Sequence, residues 1–159
     1  MSFKSFLSAA TTAISLFIAP VAVVNAAELT PGEEYLVESL YNAGVDVSVG
    51  ECPSDQYYGL FFPQQNAIAI CTNVATTVER RWMTLRHEAI HAAQRCIDPS
   101  MTTTAHPIRV VYANVSKHDF VNVRNHYGPE DWNIEYEAFT YMRRSNVYVA
   151  NVLRSACNI

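Results

Sequence analysis

From Thr77 to Ile97 the chain contains neither glycine nor proline, so it can form one long helix around which the remaining segments must pack. Asp98-Pro99 closes it, because a proline cannot continue a helical hydrogen-bond ladder. At its start Thr76 stands three residues before Glu79, the spacing of a capping box. Val78, Trp82, Leu85, Ala89 and Ala92 recur at helical spacing and predict one buried stripe. A helix here puts His87 and His91 one turn apart on one face, so both imidazoles can reach a single metal ion. Glu88 comes directly after the first histidine and projects beside them, where it can touch a water at that ion.

The rest of the chain is of a kind that can support such a helix. At 159 residues it predicts one domain. Half of it is hydrophobic and only 16% is charged, which suits a packed core. A net charge of −4 leaves no basic footprint, so nucleic acid is not an expected partner.

Residues 1–26 differ from the remainder. Lys4 is the one charge before an uncharged run from Phe6 to Val24, and Val24-Asn25-Ala26 fits a small-residue cleavage site. The expectation is a signal peptide over 1–26 and a single domain over 27–159, secreted or periplasmic, with no stable membrane association after cleavage. An uncleaved anchor is the alternative, since the uncharged run is about long enough to span a bilayer. Cys52, Cys71, Cys96 and Cys157 are even in number and all lie after the cleavage site, as in an exported protein with two disulfides. No two are spaced as a C-x-x-C zinc knuckle. Of the three pairings, Cys52–Cys71 and Cys96–Cys157 are favoured, the second tying the end of the histidine helix to the C-terminus.

Taken in order, Pro31 to Glu34 opens a helix whose apolar face is Tyr35, Leu36, Leu40 and Tyr41. Val45 to Val49 alternates as a half-buried strand, and Tyr57–Phe62 with Ala67–Cys71 reads as a hairpin. Ala67–Cys71 is the expected edge strand, open to an extended peptide. Residues 107–117 predict a helix through Ile108, Val111, Tyr112 and Val115, while Phe120 to Val123 reads as its continuation or a short strand. Asn114-Val115-Ser116 is a glycosylation sequon. Gly128 to Asp131 starts a helix running to Met142, and Val147 to Ala156 forms a last amphipathic segment.

Two imidazoles do not complete a catalytic zinc site, which takes three protein ligands and leaves a position for water. The metzincin pattern needs a glycine and a histidine seven and ten residues after the first histidine, where this chain has Gln94 and Ile97. A glutamate on the later helix is the other solution. Glu135 shares its face with Trp132, Ala138, Phe139 and Met142, an apolar stripe on which an acid needs a partner such as a metal. Glu137 shares its face with Asn133, Thr140, Tyr141 and Arg144, which reads as solvated, and it stays open as the alternative ligand.

With H-E-x-x-H at His87–His91 and Glu135-Tyr136-Glu137-Ala138 downstream, the chain resembles a minimal, secreted gluzincin zinc metallopeptidase over residues 57–142. The resemblance implies an α+β, zincin-like fold, with a small β-sheet packed on the H-E-x-x-H helix and a C-terminal helix carrying the third ligand. It implies one Zn2+ on His87, His91 and Glu135, Glu88 as general base, and a peptide or protein substrate cut internally by metal-activated water. Gln94, one turn past His91, is placed to hydrogen-bond behind a ligand. His106, His118, His126, Tyr127 and Tyr141 are the side chains offered as oxyanion donors, whereas Trp132 and Tyr136 read as core. The alternative is a non-enzymatic, disulfide-stapled secreted domain with a structural or vestigial metal site.

Overall fold

Thr30 caps the first helix, α1 (Pro31–Asn42), through a capping box with Glu33, and Pro31 sits at a position that needs no amide hydrogen. The computed structural model describes residues 29–159, so the signal-peptide reading lies outside the described residues. Leu36 and Leu40 are fully buried, but Tyr41 is 79% exposed. It stands about 100° around the helix from Leu40, enough to leave the core, so the expected apolar face is one residue too wide.

Next come three strands: β1 (Asp46–Gly50), β2 (Gly59–Phe62) and β3 (Ala67–Cys71). The sheet order is β1-β3-β2, with β1 parallel and β2 antiparallel to β3. β3 is therefore the central strand, which corrects its expected place at the edge. Its sequence carries no charge, and Ile68 and Ile70 are 1% and 2% exposed, as suits a strand flanked on both sides. β2 is an edge instead, and it lies against the long helix α2 (Val78–Ile97).

β2 reaches α2 because Gly59 has no side chain. A Cβ there would stand 2.5 Å from the Thr84 methyl and 2.9 Å from the Ala69 carbonyl oxygen. Gly59→Val should therefore force strand and helix apart, costing about 2–3 kcal/mol. Chemical denaturation should show a lower midpoint with an unchanged slope.

The α2 cap is Thr77, whose hydroxyl accepts from the Arg80 amide, so the helix starts one residue later than the Thr76–Glu79 spacing predicts. The Thr76 amide is bonded to Val74 in the preceding turn. Val78, in the first turn, is 60% exposed and drops out of the predicted stripe, while Leu85, Ala89 and Ala92 are buried. At the far end the Asp98 carboxylate accepts from the backbone and hydroxyls of Ser100 and Thr102, which folds the chain back sharply after the helix.

The helix expected over 107–117 is α3 (Ile108–Asn114), and Phe120 to Val123, expected as its continuation or a strand, lies in a separate helix, α4 (Lys117–His126). Ser116 of the sequon is the α4 cap, so one residue serves both patterns. Then come α5 (Trp132–Tyr141) and α6 (Asn146–Cys157), separated by residues 142–145. The described residues thus form an α+β fold of six helices and a three-stranded mixed sheet. α5 is its centre, packed on α2, α3 and α4. The disulfides are Cys52–Cys71 and Cys96–Cys157, the favoured pairing, and they fit an oxidising compartment. No helix among the described residues is long and apolar enough to cross a membrane.

One buried ion pair closes α4 onto the end of α5. Asp119, 1% exposed, accepts both Arg143 guanidinium nitrogens at 2.6 and 2.9 Å and the Ser116 hydroxyl at 2.6 Å. Burial pushes its carboxyl up, but Arg143 and Ser116 outweigh that and hold it below the usual carboxylate range. A depressed folded pKa stabilises the protein above the unfolded value, and the contribution disappears as pH falls through the folded one. Arg143 is half exposed, so Asp119→Asn should cost only about 1–2 kcal/mol near neutrality. Thermal melts should show the gap between variant and wild type closing well below pH ~4.

Candidate metal centre

The histidines leave α2 toward α5, on which Ala138, three residues after Glu135, is fully buried. The two Nε2 atoms of His87 and His91 stand 3.2 Å apart. Glu135 comes from α5 and offers one carboxylate oxygen to each ring, Oε2 at 3.4 Å from His87 and Oε1 at 3.4 Å from His91. Donor atoms of the three residues all lie within 4.8 Å of one another, a group that could hold a metal ion. Glu135 Oε2 is buried without a hydrogen-bond partner, which is costly unless a cation completes the set.

Each ring is fixed from behind. His91 Nδ1 meets Gln94 Oε1 at 2.8 Å, the place behind a ligand that the spacing predicts. His87 stands edge-on to Phe139, with ring centres 4.8 Å apart.

The charges at the site are strongly coupled. Burial pushes the Glu135 carboxyl up, but the two imidazoles outweigh it and hold the group down to about 2. Burial lowers His91 in turn, and the Glu135 charge overcomes this and raises it to about 9. The site therefore keeps a carboxylate ionised inside the protein by surrounding it with groups that carry or attract positive charge. Glu88 is different: it is 6% exposed, and burial raises its pKa despite both neighbouring histidines. The Phe61 backbone amide of β2 lies toward the carboxylate and offsets a small part of that rise. That amide has no sequence signature, because any residue other than proline supplies one at the strand position.

A cleft of about 180 Å³ opens beside His87 and Glu88, with Tyr57, Tyr58 and Gly59 on one wall and Tyr127, Phe139 and Met142 on the other. Tyr127 is the one side chain of the five offered donors that reaches it. Burial and the Glu135 and Glu88 charges push its phenol well above the ordinary range, so it stays protonated. Trp132 helps to set its position by donating to the Tyr127 carbonyl at 3.0 Å. The other four are placed elsewhere: His118 has an 86% exposed side chain, and His126 is bonded to the Asn122 carbonyl. His106 and Tyr141 stack on each other at 4.0 Å on the far side of α5.

Glu137 corrects the sequence reading. The middle of its expected solvated face is buried, with Glu137 0%, Tyr141 2% and Thr140 9% exposed, while Asn133 and Arg144 at its ends are exposed. The cause is the cover on α5: α2 and α3 pack against it, and the Ala105–His106 segment lies over Glu137. Glu137 lies outside the histidine group, and its carboxylate is taken up by Gln94, Ala105 and His106. Trp132 is partly buried and Tyr136 fully so, as expected for core residues.

No family model, curated protein or solved structure matches the chain, so its chemistry is read from its own residues.

Proposed function

We propose that the chain is an exported zinc metallopeptidase of the gluzincin kind with a zincin-like fold, in which His87, His91 and Glu135 hold one Zn2+. The carrying observation is the spacing of the donors. The Nε2–Nε2 distance of 3.2 Å matches the edge of a tetrahedron with bonds of ~2.0–2.1 Å, which is about 3.3 Å, and each imidazole has a different Glu135 oxygen at 3.4 Å. Two imidazoles and a carboxylate, with one side open to a cleft, are the donor set of a hydrolytic rather than a structural site. Such an ion, when bound, supplies Lewis-acid chemistry: it brings the pKa of water toward ~7 and polarises a carbonyl.

The chain's own groups supply the rest. Glu88 is buried beside the histidines, and burial makes its carboxylate a stronger base than an exposed one. It would take the proton of the attacking water and pass it to the leaving amine. The protonated Tyr127 phenol would donate to the carbonyl oxygen as charge develops on it. Edge strand β2 offers unpaired backbone groups next to the cleft, and an extended peptide laid along it would bring a peptide bond to Glu88. An internal stretch of a peptide or protein fits that geometry.

Metal content by mass spectrometry, with digestion of a peptide library, tests this reading. Wild type should carry about one zinc per chain and cleave, and Glu135→Ala should lose both. A wild type without metal ends the proposal. A zinc-loaded wild type that cleaves nothing favours the non-enzymatic metal domain.

A further inference from the structure

We infer that Glu137 is a positioning residue for the metal centre: through Gln94 it fixes which nitrogen of His91 carries the proton, leaving Nε2 free to bind. The inference rests on the proposed metal site, and donor and acceptor roles along the side chains decide it.

Glu137 accepts from Gln94 Nε2 at 2.8 Å, from the Ala105 amide at 2.8 Å, and from the His106 amide and Nδ1 at 2.6 and 2.7 Å. The same Gln94 nitrogen donates to the Ile134 carbonyl at 3.0 Å. A carbonyl only accepts, and so does a carboxylate that already takes the Ala105 and His106 backbone amides. The amide nitrogen of Gln94 must therefore lie at that end, and its oxygen must face His91. That oxygen can only accept, so His91 Nδ1, 2.8 Å away, must be the donor. With the proton on Nδ1, the lone pair is on Nε2, the atom that faces His87 and Glu135.

Burial makes this relay binding. Gln94 and Glu137 are 0% exposed and His91 5%, so water cannot take the place of a missing partner. A reversed amide would press its oxygen against Glu137 and the Ile134 carbonyl and turn its NH2 toward His91. Glu137 is itself held by the chain segment after α2. His106 stacks on Tyr141 and reaches Tyr148 through Nε2 at 3.0 Å, so the order runs from His91 to the surface at α6.

The test is a double-mutant cycle on zinc affinity, read by competition with a chromophoric chelator, with folding checked by circular dichroism. Glu137→Gln and Gln94→Leu should each weaken binding about 10–100-fold, as loss of a partner behind a ligand does. The double variant should bind no worse than Gln94→Leu alone, because Glu137 acts only through Gln94. Losses that multiply, or wild-type affinity in Glu137→Gln, overturn the inference while leaving the metal reading intact. A wild type that binds no zinc removes both. Should Glu137→Gln fail to fold, the imidazole 15N spectrum of the zinc-loaded wild type decides. A proton on His91 Nδ1 supports the inference, and zinc on that nitrogen overturns it.

Discussion

Glu88→Gln should keep its zinc and lose peptide cleavage by about 10²–10⁴-fold, the range that a positioned acid–base group contributes. Glutamine has the same shape and still presents a side-chain oxygen in the same place. Packing should be preserved, and removal of a buried carboxylate should leave stability unchanged or slightly higher. The loss should fall on kcat with KM little altered, because in its proposed role the group acts in the transition state rather than in binding. Metal content and thermal stability measured on the same preparation separate this from unfolding. Cleavage at the wild-type rate would falsify the role given to Glu88.

The legible and illegible parts of this molecule divide along a physical line. His87, Glu88, His91 and Gln94 lie within about two turns of one helix, so local periodicity alone places them on a shared side. Glu135 is readable because an acid among Trp132, Phe139 and Met142 asks for a partner. Glu137 misleads because its burial comes from elements distant in sequence. Gln94 and the Ala105–His106 backbone cover it, and nothing in α5 itself tells its polar face from a solvated one. The sheet order has the same origin: β2 and β3 form the expected hairpin, but the parallel pairing of β1 with β3 is set by chain return, not by either strand's pattern. Tyr127 is one of five equal choices in the sequence, and only the α4–α5 turn, which brings it to the cleft, sets it apart.

Replacing Cys96 and Cys157 together with alanine should destabilise the fold by about 4 kcal/mol, the largest stability change expected in this chain. The bridge closes a separation of 61 residues, against 19 for Cys52–Cys71. Chain-entropy reasoning gives about 4 kcal/mol for the longer loop and about 3 for the shorter. The longer bridge also joins the last turn of α2 to that of α6, the final helix, whose Val149, Ala150 and Leu153 are fully buried against the core. Without the bridge, α6 would open from its free end and take the Tyr148 end of the Glu137 relay with it. Zinc affinity should fall less than stability does, because His91, Gln94 and Glu135 are packed by α2 and α5 directly. Denaturant unfolding of both double variants, with a chelator present so that metal binding does not mask the difference, should rank them in that order. It should also show a steeper slope for the Cys96/Cys157 variant, whose unfolded chain is freer to expand. A loss below ~1 kcal/mol, far under the chain-entropy value, would mean that α6 is held by its apolar face alone.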